Sequence, residues 1–251
     1  MDGLMTATQA EEYMAMLQAP IEPLHPDLQA AYFEHESGLT GISHPLLHMI
    51  LHAPQMNRVL NLSYAQKLEA MEQARAERNY WKIVHLHEKP YQLNALVKIE
   101  AEVPRSAQWW KLVRSVWTQI DNIHQQLGLW REVWIYGRSD RAFVMDRDER
   151  ARLRASPPQI EVWRGANCQD YVQNGLSWTL DRAQAVWFAC RFTEHSHRKP
   201  YLARGLIARE NVLAMFDGGE REVVLDPDEL IDIDVTPIRR RQHHQPGAWE
   251  L

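Results

Sequence analysis

Apolar and polar positions along the 251 residues change character once, near Ser156-Pro157-Pro158. Before that point the spacing is helical. From Ser106, the apolar residues Trp109, Trp110, Val113, Val116, Trp117 and Ile120 recur at intervals of three and four, which predicts one buried helical face. Ser63 with Gln66 three residues later reads as a capping box opening a helix over 64–78. Further helices are expected over 129–136 and over the charged stretch 146–154, where the proline pair ends the pattern. Residues 1–62 are rich in Pro, His and Met and read as short helices joined by turns, broken at Pro20, Pro23, Pro26, Pro45 and Pro54. The expectation for residues 1–155 is a mostly helical region.

After the prolines the period shortens. Ile160–Trp163, Leu206–Ala208 and Glu222–Leu225 are short β-type runs, and Ile231-Asp232-Ile233-Asp234-Val235 alternates as a half-buried strand should. Between them Asp181 can cap a helix that places Ala185, Phe188, Ala189 and Phe192 on one face. The fold class expected is α+β, with a strand-dominated unit over 156–251.

Composition is that of an ordinary globular chain. No apolar run approaches eighteen residues, and the N-terminal stretch has neither a basic flank nor an apolar segment of the secretory kind. The expectation is a cytoplasmic protein with no membrane partner. Two cysteines, Cys168 and Cys190, fit that compartment and read as packed, not paired. The net charge is −5. Lys and Arg number 17 against 19 acidic residues before Pro158, and 11 against 14 from there on, so neither part is basic and no broad nucleic-acid footprint is indicated. Arg239-Arg240-Arg241 with His243 and His244 reads either as a solvated cluster or as a phosphate-contacting arm.

Three short elements carry candidate chemistry. Glu220 and Glu222 are two apart, so in a strand both would project from one face. Adjacent carboxylates repel and raise each other's pKa. Such a pair either serves a purpose, such as stabilising positive charge on a ribose, or marks an acidic edge strand. Arg164 ends an apolar run and precedes Gly165, so it can present a guanidinium to a phosphate or form an ion pair after the hinge. Ser177 and Thr179 share a strand face, with Trp178 turned the other way, and a hydroxyl there can hold a neighbouring carboxylate.

Taken in order, Trp163-Arg164-Gly165, Leu176-Ser177-Trp178-Thr179-Leu180-Asp181, Ala185 with Phe188 and Ala189, and Glu220-x-Glu222-Val223-Val224 with Pro227 resemble the Arg–Ser–Glu class of ADP-ribosyltransferases. The resemblance covers about 160–235. In overall style the chain also looks like phage or prophage proteins. The resemblance implies a split β-sheet unit that takes NAD and moves ADP-ribose to a macromolecular acceptor, with nicotinamide released. The acceptor would be a protein side chain or, alternatively, nucleic acid. Arg164, Gly165, Ser177, Thr179, Phe188 and Phe192 would contact NAD. Ser177 would position Glu222, Glu222 would act on the nicotinamide ribose, and Glu220 would orient the acceptor. The segment 192–203, containing Phe192 and Tyr201, would occupy the place of the loop that covers nicotinamide, where an aromatic ring can stack on it. Two departures are Trp178 in the middle of the Ser-Thr-Ser element and a connection of thirteen residues from Arg164 to Ser177, where many members insert helices.

Two other functions fit the same residues: an NAD glycohydrolase, with water as acceptor, and a non-catalytic binding or structural module. His85-x-His87-Glu88 and His195-x-His197 lack partners at zinc-site spacing, so no metal is expected. Trp109, Trp110 and Trp117 read as core, and Gly218-Gly219 as a turn before the acidic pair.

Overall fold

The computed structural model describes residues 20–120, 123–191, 199–240 and 249–250. Its chain contacts divide it into two compact units between Glu100 and Ala101. The expected change at 155–156 is therefore a change of secondary structure inside the second unit and not its edge. No helix among the described residues is long and apolar enough to cross a membrane.

In the first unit a short helix α1 (Pro26–Ala30) leads into an antiparallel sheet of β1 (Tyr32–Glu34), β2 (Thr40–His44) and β3 (Leu47–Met49). Sequence spacing reads this stretch as helices and turns. Strands of three to five residues are too short to display an alternation of their own, and cross-strand pairing defines them instead. Helices α2 (Asn57–Ala76), α3 (Tyr80–His85) and α4 (Gln92–Lys98) follow. The start of α2 lies at Asn57, so Ser63 is interior and caps nothing. Pro54 opens a 3₁₀ turn, Pro54–Met56, that runs directly into the helix, and the chain is extended only before it, at Ala53. Buried Asn57 fixes that start, accepting a hydrogen bond from the His52 ring at 2.8 Å and donating to the Glu22 carbonyl at 2.7 Å. Leu28, Ile42, Leu93 and Leu96 are fully buried in this unit.

The second unit joins a tryptophan-rich helical part to a six-stranded antiparallel sheet. Helix α5 (Ser106–Trp117) matches its periodicity: Trp109, Trp110, Val113, Val116 and Trp117 are buried. Helix α6 (Leu127–Arg131) continues into a π turn, Glu132–Tyr136. Trp117 meets Trp130 and Trp134 edge-on at 4.8 and 5.2 Å, and Trp110 lies 5.6 Å from Trp134. Each such aromatic pair adds about 0.5–1.5 kcal/mol beyond the area buried. Helix α7 (Arg147–Ala155) opens on a capping box between Asp146 and Glu149 and stops at Ser156, as the proline pair requires.

The sheet runs β7-β8-β5-β4-β6-β9, from β4 (Gln159–Ala166), β5 (Ser177–Thr179), β6 (Tyr201–Ala208), β7 (Val212–Met215), β8 (Glu222–Leu225) and β9 (Leu230–Pro237). Helix α8 (Gln169–Asn174) joins β4 to β5, and helix α9 (Arg182–Cys190), capped by Asp181 as expected, follows β5. The sequence gives no separate sign of β7, whose four apolar residues show no alternation. Strand β9 forms at the sheet edge, paired to β6, yet Ile231 and Ile233 are exposed. Arg239–Arg240 pairs with Trp249–Glu250 as a separate two-stranded ladder; Arg241, His243 and His244 lie outside the described residues.

Helices and sheet are pinned together by buried polar groups as well as by apolar packing. Glu149, 3% exposed, accepts from both terminal nitrogens of Arg114 at 2.5 and 2.8 Å. The same carboxylate accepts the Asp217 amide at 3.2 Å, anchoring the β7–β8 turn, and Arg152 pairs with the Asp217 side chain. Arg131 bridges Asp226 and Asp228 after β8. Truncating one partner of a buried pair strands the other charge, which typically costs about 3–5 kcal/mol. Glu149→Ala is therefore expected to lower the free energy of unfolding by about 3 kcal/mol or more, measured by urea denaturation, whereas Arg204→Ala on the exposed Glu161–Arg204 pair should change it by less than about 1 kcal/mol.

Candidate active site

Glu222 begins β8 and faces a cavity of about 490 Å³. The hairpin from β7 sets its place. Arg221 adopts the left-handed region at φ 48°, a conformation that costs a non-glycine residue about 1–2 kcal/mol. Three backbone bonds hold the turn: Arg221 N–H to the Gly218 carbonyl, Leu180 N–H to the Arg221 carbonyl, and Phe216 N–H to the Glu222 carbonyl. Thr179 pairs with Glu222 and Ser177 with Val224 across the β5–β8 ladder, so Ser177 lies diagonal to Glu222 on the same face. Its hydroxyl donates to Glu222 Oε1 at 2.5 Å. The indole N–H of Trp117, from α5, donates to the same oxygen at 3.1 Å.

The surroundings act on this carboxyl in opposite directions. Burial is the strongest influence and pushes its pKa above the usual carboxylate value, and the nearby negative charge of Glu220 adds to that. The Ser177 and Trp117 donors and the Arg164 charge pull it back down.

Arg164 stands where the sheet splits. Strands β4 and β5 share only the Trp163–Thr179 pair, after which they diverge. The Arg164 guanidinium fills the gap, donating from Nε to the Tyr171 carbonyl at 3.2 Å and from Nη1 to the Ser177 carbonyl. Gly175 makes room for it, because a Cβ there would overlap the guanidinium. Burial lowers the Arg164 pKa to about 10, against the favourable charge of Glu222, and leaves it cationic at neutral pH. Two of its three nitrogens are committed to backbone carbonyls, so Arg164 clips the split sheet and lends charge to the cavity.

Gly165, expected to let a ligand approach, is needed first by α9. A Cβ at 165 would overlap the Ala185 carbonyl oxygen, so the helix lies directly on β4, over a core of Ala185, Ala189, Cys190 and Leu202. Thr179 is buried with its hydroxyl fully used, donating to the Glu220 carbonyl at 2.6 Å and accepting from the Asp181 amide at 3.0 Å. Phe188 lines the cavity. Phe192, His195 and His197 lie outside the described residues. Tyr201 is on β6 and does not line this cavity.

Glu220 corrects the expectation drawn from spacing. It is exposed on the turn and not in the strand, so the two-residue alternation does not apply to it. The left-handed Arg221 intervenes, and Glu220 reaches the cavity wall from the turn. Trp178 does turn away, with its indole N–H on the Gly175 carbonyl at 2.8 Å.

Arg164, Gly165, Ser177, Thr179, Phe188, Glu220 and Glu222 thus border one cavity, joined by residues that spacing alone did not nominate. Trp117 read as core, which it is, at 2% exposure, and its second task left no separate mark in the sequence. Tyr171 and His124 form a ring pair at 5.2 Å on the rim, and Arg114 enters from α5. Neither His85 nor His87 points to a shared site; each ring bonds a carbonyl four residues earlier, at Trp81 and Ile83. Among the described residues no cluster of three or more His, Cys, Asp or Glu could hold a metal. Compared with protein-family models, with curated proteins and with solved structures, the chain matches none of them.

The raised Glu222 pKa has a stability consequence with a definite sign. Below the ordinary value of 4.5 the carboxyl is neutral whether the chain is folded or not. As pH rises past that value the unfolded chain ionises first, the folded state holds the extra proton, and stability falls until the folded pKa is passed. Glu222→Gln keeps an acceptor for Ser177 and Trp117 but carries no charge. It is expected to melt higher than wild type near pH 7, with the gap closing near pH 4; calorimetry at both pH values checks this.

Proposed function

We propose that the second unit is an ADP-ribosyltransferase that takes NAD as substrate, releases nicotinamide and passes ADP-ribose to a macromolecular acceptor, a protein side chain. One observation carries the reading: a partly buried carboxylate, Glu222, is held by the Ser177 hydroxyl in a cavity that Arg164, seated in the split between β4 and β5, also lines. The cavity volume falls within the roughly 300–1,000 Å³ usual for small-molecule sites. Its wall combines cations with aromatic rings, a lining suited to a ligand that carries phosphates and flat heterocycles.

In this reading Glu222 keeps one oxygen fixed by two donors and turns the other toward the sugar, where it accepts a hydroxyl hydrogen bond that strengthens as positive charge develops. Ser177 fixes the carboxylate rotamer. Arg164 contributes charge toward the phosphates and holds the split open. Phe188 packs against the ligand from α9. Glu220, on its turn, faces the acceptor. The bond that breaks joins ribose to nicotinamide, and the bond that forms joins the same ribose carbon to the acceptor nucleophile, whose proton Glu220 is placed to receive.

Glu220 also favours a second reading. Its exposure on the turn leaves water free to serve as acceptor, which would make the protein an NAD glycohydrolase. The commitment of Arg164 to backbone carbonyls favours a third, a binding module without turnover. Nicotinamide release from NAD is expected for wild type and should fall by about a hundredfold or more in Glu222→Ala. Equal rates in the two proteins would remove the catalytic reading. Label from the ADP-ribose part of NAD should appear on protein; free ADP-ribose alone, with Glu220→Ala nearly as active as wild type, selects the glycohydrolase. No release, and no rise in melting temperature at saturating NAD, selects the binding module.

A further inference from the structure

Five tryptophans of the helical part are fully or almost fully buried: Trp109, Trp110, Trp117, Trp130 and Trp134. A buried indole N–H ordinarily finds an acceptor. Among the described residues those of Trp109, Trp130 and Trp134 find none, and that of Trp110 takes the Ser139 carbonyl at 3.0 Å. Only Trp117 among them reaches a carboxylate, Glu222 Oε1, 105 residues further along the chain. Its ring is clamped edge-on by Trp130 and Trp134, so the N–H has a fixed direction.

We infer that Trp117 is a positioning residue for Glu222, and that helix α5 is thereby part of the catalytic unit. This inference rests on the reading of Glu222 as the catalytic carboxylate. With Ser177 donating from β5 and Trp117 from α5, Oε1 is held from two directions, and the plane of the carboxylate can no longer rotate about its terminal bond without losing one of them. A single hydroxyl, whose proton itself rotates, would not fix that plane. The indole donor is rigid, and it comes from an element anchored independently of the strand that carries Ser177. It also favours the ionised form, because a donor to a carboxylate stabilises the charge. The charged groups that act on this carboxyl are Glu220 from the turn and Arg164 from β4; Arg114 from α5, Arg221, Arg191 and His124 also line the cavity. Glu220 opposes ionisation and Arg164 supports it.

The test uses the full chain. Trp117→Phe keeps a ring and removes the N–H; Trp130→Phe makes the same change in the same cluster at an indole without an acceptor. For Trp117→Phe, kcat for nicotinamide release should drop about tenfold or more with KM for NAD little changed, and the acid limb of the kcat profile should move to higher pH. Trp130→Phe should leave that limb where it is in wild type. An unmoved limb in Trp117→Phe, or an equal displacement in both variants, overturns the inference. In wild type, one of the ten indole N–H resonances should titrate together with the carboxyl carbon of Glu222, and that titration should vanish in Glu222→Gln. This spectrum needs neither turnover nor a folded Trp117 variant. If no indole resonance follows the carboxyl, Trp117 does not hold it. If one does while NAD is never consumed, the functional reading fails and the positioning contact stands.

Discussion

A carboxylate taken out of water must recover hydrogen bonds from protein, and around Glu222 these come from two elements with separate supports. Ser177 belongs to a three-residue strand in the middle of the sheet, and Trp117 ends a helix whose buried face, Trp117 included, is packed among tryptophans. Neither donor has a reason to lie where it does unless sheet and helices are fixed against each other. The geometry at one oxygen atom therefore depends on the packing of the whole second unit.

That packing is secured at the turn before Glu222. The Asp217 amide is held by Glu149, Glu149 is held by Arg114, and Arg114 lies over the Phe216 ring at 4.9 Å. Arg114 also lines the cavity. A brace that stabilises the fold thus ends at the wall of the candidate site, and the strained Arg221 backbone is tolerated because the residues on both sides are tied down. Around Arg164 two glycines do comparable work by omission. Gly165 lets α9 lie on β4, and Gly175 lets the Arg164 guanidinium lie in the split. Side chains at either position would move an element and not merely crowd a ligand.

Much of this was legible in the amino-acid order, and the failures follow a pattern. Helix α5, the Asp181 cap and the stop at Ser156 were readable because local periodicity and capping chemistry determine them. The three-stranded sheet of the first unit was not, because its strands are shorter than the window in which alternation can be recognised. Ser63 imitated a helix start, but Pro54 had already begun the helix. Glu220 seemed to share a strand face with Glu222 only so long as the strand was taken to begin two residues early.

By itself the sequence determined the residue types available for chemistry and the local elements that carry them: an arginine on one strand, a hydroxyl on another, a carboxylate opening a third. Local interactions suffice for that, since propensity, capping and period act over a few residues. Tertiary structure alone decided which of these groups meet. It committed most of Arg164 to the sheet, moved Glu220 onto a turn, and brought an apparently ordinary core tryptophan to the Glu222 carboxylate. These contacts join residues 13 and 105 positions apart, and no local pattern encodes a contact that exists only when separate elements are packed together.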